Sequence, residues 1–248
     1  MHGGLMTGQP PGTRGGWWRF VPRAPASLLY IAITWALFVP LANPIGGTYQ
    51  VDLNRVGAYV YRIPDLSEDF PRVMRSLATA PFLNHDSVQL VYITILVLLF
   101  GIVFEAREGI RRTVTLFVFG LIAGAFGSGI LLHLLYPEVT SAPLYAYAWD
   151  RTWSGGSAGC FAIMGALAAR SRKPWLFLAL VVLWDLNWPY LRILVAGSGG
   201  PQFDLVWWHL PHSFTSAFHL LALPVGFLAA RFWMRPVRRS SPPAPHGA

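Results

Sequence analysis

The chain has 248 residues, 54% of them hydrophobic and 12% charged, with 11 Trp and a mean hydropathy of +0.45. The charged share is about half that of soluble domains, which excludes a water-soluble globular protein and places the chain in a bilayer. A single cysteine, Cys160, excludes an internal disulfide, and the net charge of +8 is spread in twos and threes at the ends of apolar runs rather than gathered into a nucleic-acid patch.

Residues 1–26 form a Gly/Pro-rich leader carrying Arg14, Arg19 and Arg23. Its apolar continuation lacks a clean small-residue cleavage site, so the expectation is a signal-anchor helix behind a disordered cytoplasmic leader. Six apolar runs follow, near 27–43, 87–104, 113–135, 157–170, 174–195 and 212–233. Each is weighed against the roughly 20 residues that cross about 30 Å of hydrocarbon, and the fourth is short. The expected fold is an all-α bundle of six transmembrane helices, a membrane domain over 27–234. A disordered Ser/Pro-rich cytoplasmic tail over 235–248 follows it.

With the N-terminus inside, thirteen Lys and Arg fall on the inner side (Arg14, Arg19, Arg23, Arg107, Arg111, Arg112, Arg170, Arg172, Lys173, Arg231, Arg235, Arg238, Arg239). Six fall outside (Arg55, Arg62, Arg72, Arg75, Arg151, Arg192). The bias sets both termini in the cytoplasm. The long segment 44–86 balances its basic residues with Asp52, Asp65, Glu68, Asp69 and Asp86 and is expected along the outer interface.

Two polar residues then fall at one depth. Ser157 lies thirteen residues before Arg170 and His219 twelve before Arg231, so at about 1.5 Å per residue both stand roughly 18–20 Å above the inner boundary. The small faces Ala158, Ala162, Gly165, Ala169 and His219, Ala222, Gly226, Ala230 allow these two helices to pack closely. Contact would bring an imidazole to a hydroxyl, the minimum for nucleophilic catalysis. Ser157 among glycines also reads as a packing site, whereas a histidine at membrane depth is costly to bury and favours a role.

Other polar residues have plainer readings. His209, His212 and His133 are interfacial, and a metal site made of them has no diagnostic spacing. Asp185 is expected to pair with Arg192, with Asn187-Trp188-Pro189 ending the fifth helix. Gly120, Gly124, Gly127 and Gly129 read as packing, Glu105 as a cap or tether to the third helix, and Pro224 as a kink in the sixth.

The motifs together resemble the rhomboid family of intramembrane serine proteases. Gly155-Gly156-Ser157 followed by Phe161-Ala162-Ile163-Met164-Gly165 is similar to its fourth helix, and His219-x-x-Ala222-x-x-x-Gly226 to its sixth, with Ala in the first glycine place. Gly101-x-x-x-Glu105-x-x-x-Gly109 with Arg111 and Arg112 resembles its signature after the second helix, and Arg75-x-x-x-Thr79-x-x-Phe82 the segment leading there. The match runs from roughly 70 to 230, in the right order and spacing.

The resemblance implies a Ser157/His219 dyad. Phe161 would pack on the imidazole, Gly155 and Gly156 would support the oxyanion end, and Gly101, Glu105, Gly109 and Arg111 would be structural. Where the family has a His and, four residues later, an Asn that bind the oxyanion, this chain has Gln89 and Ile93, and Ala158 replaces a preferred glycine. Gln89 keeps an amide donor and Ile93 keeps none; losing one donor typically costs about 3–4 kcal/mol. His85 is a displaced substitute that the register to Gly101 disfavours. No Asp is in view to orient the imidazole.

The implied activity is hydrolysis of membrane-anchored segments within the lipid bilayer of a bacterial-type plasma membrane. No cofactor, metal or nucleic acid is involved. The alternatives are an inactive relative that binds transmembrane segments and a transporter, for which no half-repeat appears.

Overall fold

The computed structural model describes residues 19–45, 47–52, 55–135, 149, 152–196 and 205–234, with the side chains of 135, 188–196 and 205–215 outside the description. The leader before residue 19, the tail after 234, Arg151, and the side chains of Arg192, His209 and His212 therefore lie outside the described residues.

Helices dominate. α1 is Pro25–Leu41, α2 is Phe70–Thr79, and α3 is Ser87–Glu108, an apolar helix interrupted by a π turn at Val97–Gly101. α4 is Ile110–Leu135, α5 is Ser157–Arg170, α6 is Pro174–Ala196 and α7 is Leu205–Leu228, extended by a π turn at Ala229–Trp233. Each of the six apolar runs has become a helix. Among the described residues three are long and apolar enough to cross a membrane, Ser87–Glu108, Ile110–Leu134 and Ser216–Trp233, while Pro25–Leu41, Ser157–Arg170 and Pro174–Asn187 are shorter apolar stretches. Large hydrophobic side chains such as Leu99, Ile130, Leu134, Leu180 and Phe232 remain exposed on the outer faces, as a lipid-facing bundle requires.

α5 is the centre of the bundle. From Ala158 to Ala166 every residue of it is buried, although the helix is only 14 residues long. The reason is small residues on both sides of each contact. A Cβ on Gly226 would collide with the Ala162 carbonyl, and one on Gly165 with the Leu223 carbonyl, so α5 and α7 touch backbone to backbone. On the other side a Cβ on Gly124 would lie 2.9 Å from Ala158 Cβ and 3.1 Å from the Phe218 carbonyl, which fixes α4 against both partners. The small faces expected on α5 and α7 meet, and the α4 glycines are packing residues.

Glu105 ties the N-terminal helix to this core. The cap position of α1, Ala24, has no side-chain oxygen to offer. Glu105 supplies one from α3: its carboxylate accepts from Ala26 N–H (2.9 Å), Ser27 N–H (2.8 Å) and Ser27 Oγ–H (2.7 Å). A buried carboxylate at a helix N-terminus satisfies its orphan donors and complements its dipole. Glu105 thus tethers the first helix, not the third. Gly101 permits it, because a Cβ there would lie 3.3 Å from Ser27 Oγ. Gly109 turns the chain into α4 with φ +87. Arg112, rather than the exposed Arg111, pairs with Glu108 at 2.5 Å.

The described residues of segment 44–86 form an assembly of their own. Ala42–Ile45 and Thr48–Val51 form an antiparallel hairpin turned at Gly47 (φ +83). Isolated bridges join Gln50 to Asp86 and Tyr61 to Trp153. Arg75 Nε donates to the Ala58 carbonyl (3.1 Å) and Thr79 Oγ1 to the Tyr59 carbonyl (2.8 Å), so the Arg-x-x-x-Thr spacing places one turn of α2 against the loop before it. One sequence expectation fails further on. Asn187-Trp188-Pro189 does not end the fifth apolar helix, since α6 continues to Ala196, with Asn187 Nδ2 donating to the Leu183 carbonyl (2.6 Å). α7 is likewise helical through Pro224. Membrane helices absorb such prolines because neighbouring elements re-satisfy the freed carbonyls.

Candidate active site

Ser157 is the first residue of α5. Gly155 has φ +94, a conformation open to glycine, and a Cβ there would meet Gln89 Nε2 at 2.7 Å and Ile93 Cδ1 at 2.9 Å. The backbone N–H of Gly155 donates to the Ala80 carbonyl (2.8 Å). Gly156, the helix cap, has no room for a side chain because the Tyr30 hydroxyl and the Phe117 ring fill that space. At this end of the helix Cys160 N–H donates to the Gly156 carbonyl (3.1 Å). The N–H groups ahead of it belong to a helix terminus, which favours negative charge.

From α7, His219 reaches this hydroxyl. Its Nε2 lies 2.7 Å from Ser157 Oγ, and its Nδ1 lies 2.5 Å from Asp185 Oδ1 on α6. The imidazole is stacked on Phe161, one turn along α5, with 4.1 Å between ring centroids and 9° between planes. His219 and Asp185 are 3% and 2% exposed, so the contact between them is shielded from water, while the contact to the half-buried Ser157 borders a cavity. Three helices therefore each give one polar group to a single line of hydrogen bonds.

That line runs along the wall of a cavity of about 320 Å³ bounded by Ser157, His219, Gln89, His85, Tyr61 and Trp153. His85 is an exposed residue on its wall, so the cavity communicates with the surface. Segment 55–86 forms the roof. Tyr61 Oη donates to the Ala125 carbonyl (3.0 Å), and burial together with the nearby Asp65 carboxylate pushes its phenol above the ordinary range, so it stays neutral.

The expected residues are distributed unevenly. Ser157, His219, Phe161, Gly155, Gly156 and Gln89 come together at the site, whereas Gly101, Glu105, Gly109 and Arg111 lie at the other end of the bundle. Gln89 lines the cavity, but its amide is engaged: Nε2 donates to the Ser154 carbonyl (2.9 Å) and Oε1 accepts from His85 N–H (2.6 Å). Ile93 does not share the cavity wall as the register implied. It is 1% exposed and belongs to the core behind Gly155. His85, disfavoured by register, does reach the wall. The expected Asp185–Arg192 pairing falls on a side chain outside the described residues, and Asp185 contacts His219, so an Asp does face the imidazole. His133 is exposed, near Trp149 (6.2 Å between centroids). Among the described residues no three His, Cys, Asp or Glu side chains gather as metal ligands.

Asp185, Tyr61 and Trp153 are the site residues that sequence reasoning missed. The depth rule applied to Ser157 and His219 would have found the first. Asp185 lies twelve residues beyond Lys173 at the inner boundary, which is roughly 18 Å and the same level.

Residues 71–236 match the family model described as the Rhomboid domain, about two thirds of the chain. Among curated proteins none matches the chain at a significant level.

Proposed function

The chain belongs to the rhomboid family, and we propose that it is an active intramembrane serine protease in which Ser157 is the nucleophile and His219 the general base. The family is generally one of serine intramembrane proteases. The observation that carries the reading for this member is the 2.7 Å contact between Ser157 Oγ and His219 Nε2, part-buried and opening on a cavity.

A hydroxyl is a poor nucleophile until a base takes its proton. As Ser157 Oγ attacks the carbonyl carbon of a peptide bond, its proton passes to His219 Nε2, and the carbonyl oxygen becomes an anion. The N-terminus of α5, with the Ser157 N–H, is the group suited to receive that charge. Collapse of the tetrahedral species breaks the C–N bond, and His219 gives the proton to the departing amine. Water then attacks the acyl ester, losing a proton to Nε2. The ester C–O bond breaks, a carboxylic acid is released, and the proton returns to Ser157 Oγ.

Gln89 serves this site indirectly. With its amide donated to the Ser154 carbonyl, it fixes the loop that presents Gly155 and Ser157. The substrate is a membrane-anchored segment cleaved near its outer end, in a membrane of the bacterial plasma type with both termini of the enzyme cytoplasmic.

Labelling by a fluorophosphonate probe tests the proposal. Wild type should react, and Ser157→Ala and His219→Ala should not. The double variant should be no worse than either single one, because losses within one catalytic unit do not add. A folded, monodisperse wild-type chain that leaves the probe unreacted overturns the proposal and makes the protein a non-catalytic binder of transmembrane segments.

A further inference from the structure

Asp185 is an acidic side chain in the apolar interior of a membrane bundle, where a carboxylate is costly and calls for a partner. Its side chain is almost fully buried. Among the described residues its Oδ1 has one partner, His219 Nδ1 at 2.5 Å, and its Oδ2 has no hydrogen-bond partner at all. Among the described residues the carboxylate is therefore engaged by the imidazole alone. Among the described residues it joins no wider network of the kind a purely structural acid would, and it satisfies no backbone donor.

The contact lies on the far side of the ring from Ser157. An imidazole carries one proton when neutral, and a carboxylate accepts hydrogen bonds only, so the proton must sit on Nδ1 for the 2.5 Å contact to be a bond. Nε2 is then left with its lone pair toward Ser157 Oγ at 2.7 Å, the tautomer a general base needs. When Nε2 takes the serine proton, the new positive charge forms beside the buried Asp185 carboxylate. Phe161 fixes the plane of the ring through its face, and Asp185 fixes the rotation within that plane through its edge.

Building on the dyad proposed above, we infer that Asp185 is a positioning residue: it sets the tautomer and orientation of His219 and neutralises the imidazolium, so the working unit is a Ser157–His219–Asp185 triad shared by α5, α7 and α6. Asp185 touches no reacting atom and acts wholly through His219.

Asp185→Asn is the discriminating variant of the full chain, because it keeps size and polarity but can donate to Nδ1, which moves the ring proton to Nε2 and aims it at the serine. Fluorophosphonate labelling should slow by about 10³–10⁴-fold, with thermal unfolding close to wild type, and Asp185→Glu should recover part of the rate. Nitrogen-15 NMR of histidine-labelled protein supplies a readout that packing alone would not move. The His219 signal should report a proton on Nδ1 in wild type and on Nε2 in Asp185→Asn. Labelling of a folded Asp185→Asn within about threefold of wild type overturns the inference while leaving the dyad standing. A wild-type His219 protonated on Nε2 overturns it even where the variant fails to fold. A wild type that resists the probe strikes the protease reading itself, and the triad falls with it.

Discussion

The ring of Phe161 lies flat on the imidazole of His219, 4.1 Å away and 9° from parallel, and both residues are buried. The pair is held by the closest helix contact in the bundle, so the ring cannot tilt without moving α5 against α7. Phe161→Leu keeps most of the volume and removes the flat face. Probe labelling is expected to fall ten- to a hundredfold, since misplacement of a catalytic group by about 1 Å costs on that order. The unfolding midpoint should drop by only a few degrees. Labelling at the wild-type rate would show that the ring is filler.

Gly226→Ala is expected to prevent the native packing outright. The added methyl would overlap the Ala162 carbonyl, and backbone on both helices leaves nothing flexible to yield. Size-exclusion chromatography in detergent should show aggregation or loss of the folded peak. A well-folded variant of wild-type stability would contradict the close approach.

Glu105→Ala should destabilise the chain by about 2–4 kcal/mol, because three donors at the start of α1 lose their acceptor in a buried setting. Glu105→Gln, which retains one accepting oxygen, should cost roughly half as much. Denaturation followed by tryptophan fluorescence measures both, and equal losses for the two variants would exclude the capping role.

Ile93→Asn is expected to lower stability by about 2–3 kcal/mol without raising the labelling rate, since it places an amide in the apolar core behind Gly155 rather than on the cavity wall. Gln89→Leu should instead lower the labelling rate by about tenfold or more through the Ser154 loop, the loss of a well-placed support being felt as misorientation. A rate gain in Ile93→Asn would put that side chain in the oxyanion site.

Reporter fusions after Arg112 and Lys173 should read cytoplasmic, and fusions near Thr140 and Gly199 external, as the distribution of basic residues requires. A cytoplasmic signal at Thr140 would invert the topology.

The parts of this molecule legible in its sequence are those with a one-dimensional signature. Apolar length marked the helices, small residues at spacings of three and four marked the α5–α7 contact, and helix rise put Ser157 and His219 at one level. Asp185 escaped because two local signals, Pro189 and Arg192, suggested a helix end and a nearby ion partner, whereas the tertiary environment let α6 run on and turned the carboxylate toward α7. The roof escaped for a different reason. Tyr61 and Trp153 are 92 residues apart, and backbone pairing between such distant segments leaves no periodicity to read.

That roof bears on where the working unit begins. The family match starts at residue 71, yet the hydroxyl of Tyr61, the loop carbonyls held by Arg75 and Thr79, and the helix whose first turn is capped by Glu105 all precede it. Tyr30 on α1 donates to the Pro81 carbonyl (2.7 Å) while its hydroxyl crowds Gly156, one residue from Ser157. An expression fragment trimmed to the matched residues would keep Ser157, His219 and Asp185 and lose Tyr61 and the α1 contacts of Tyr30 beside them. A fragment that keeps these contacts starts ahead of Pro25.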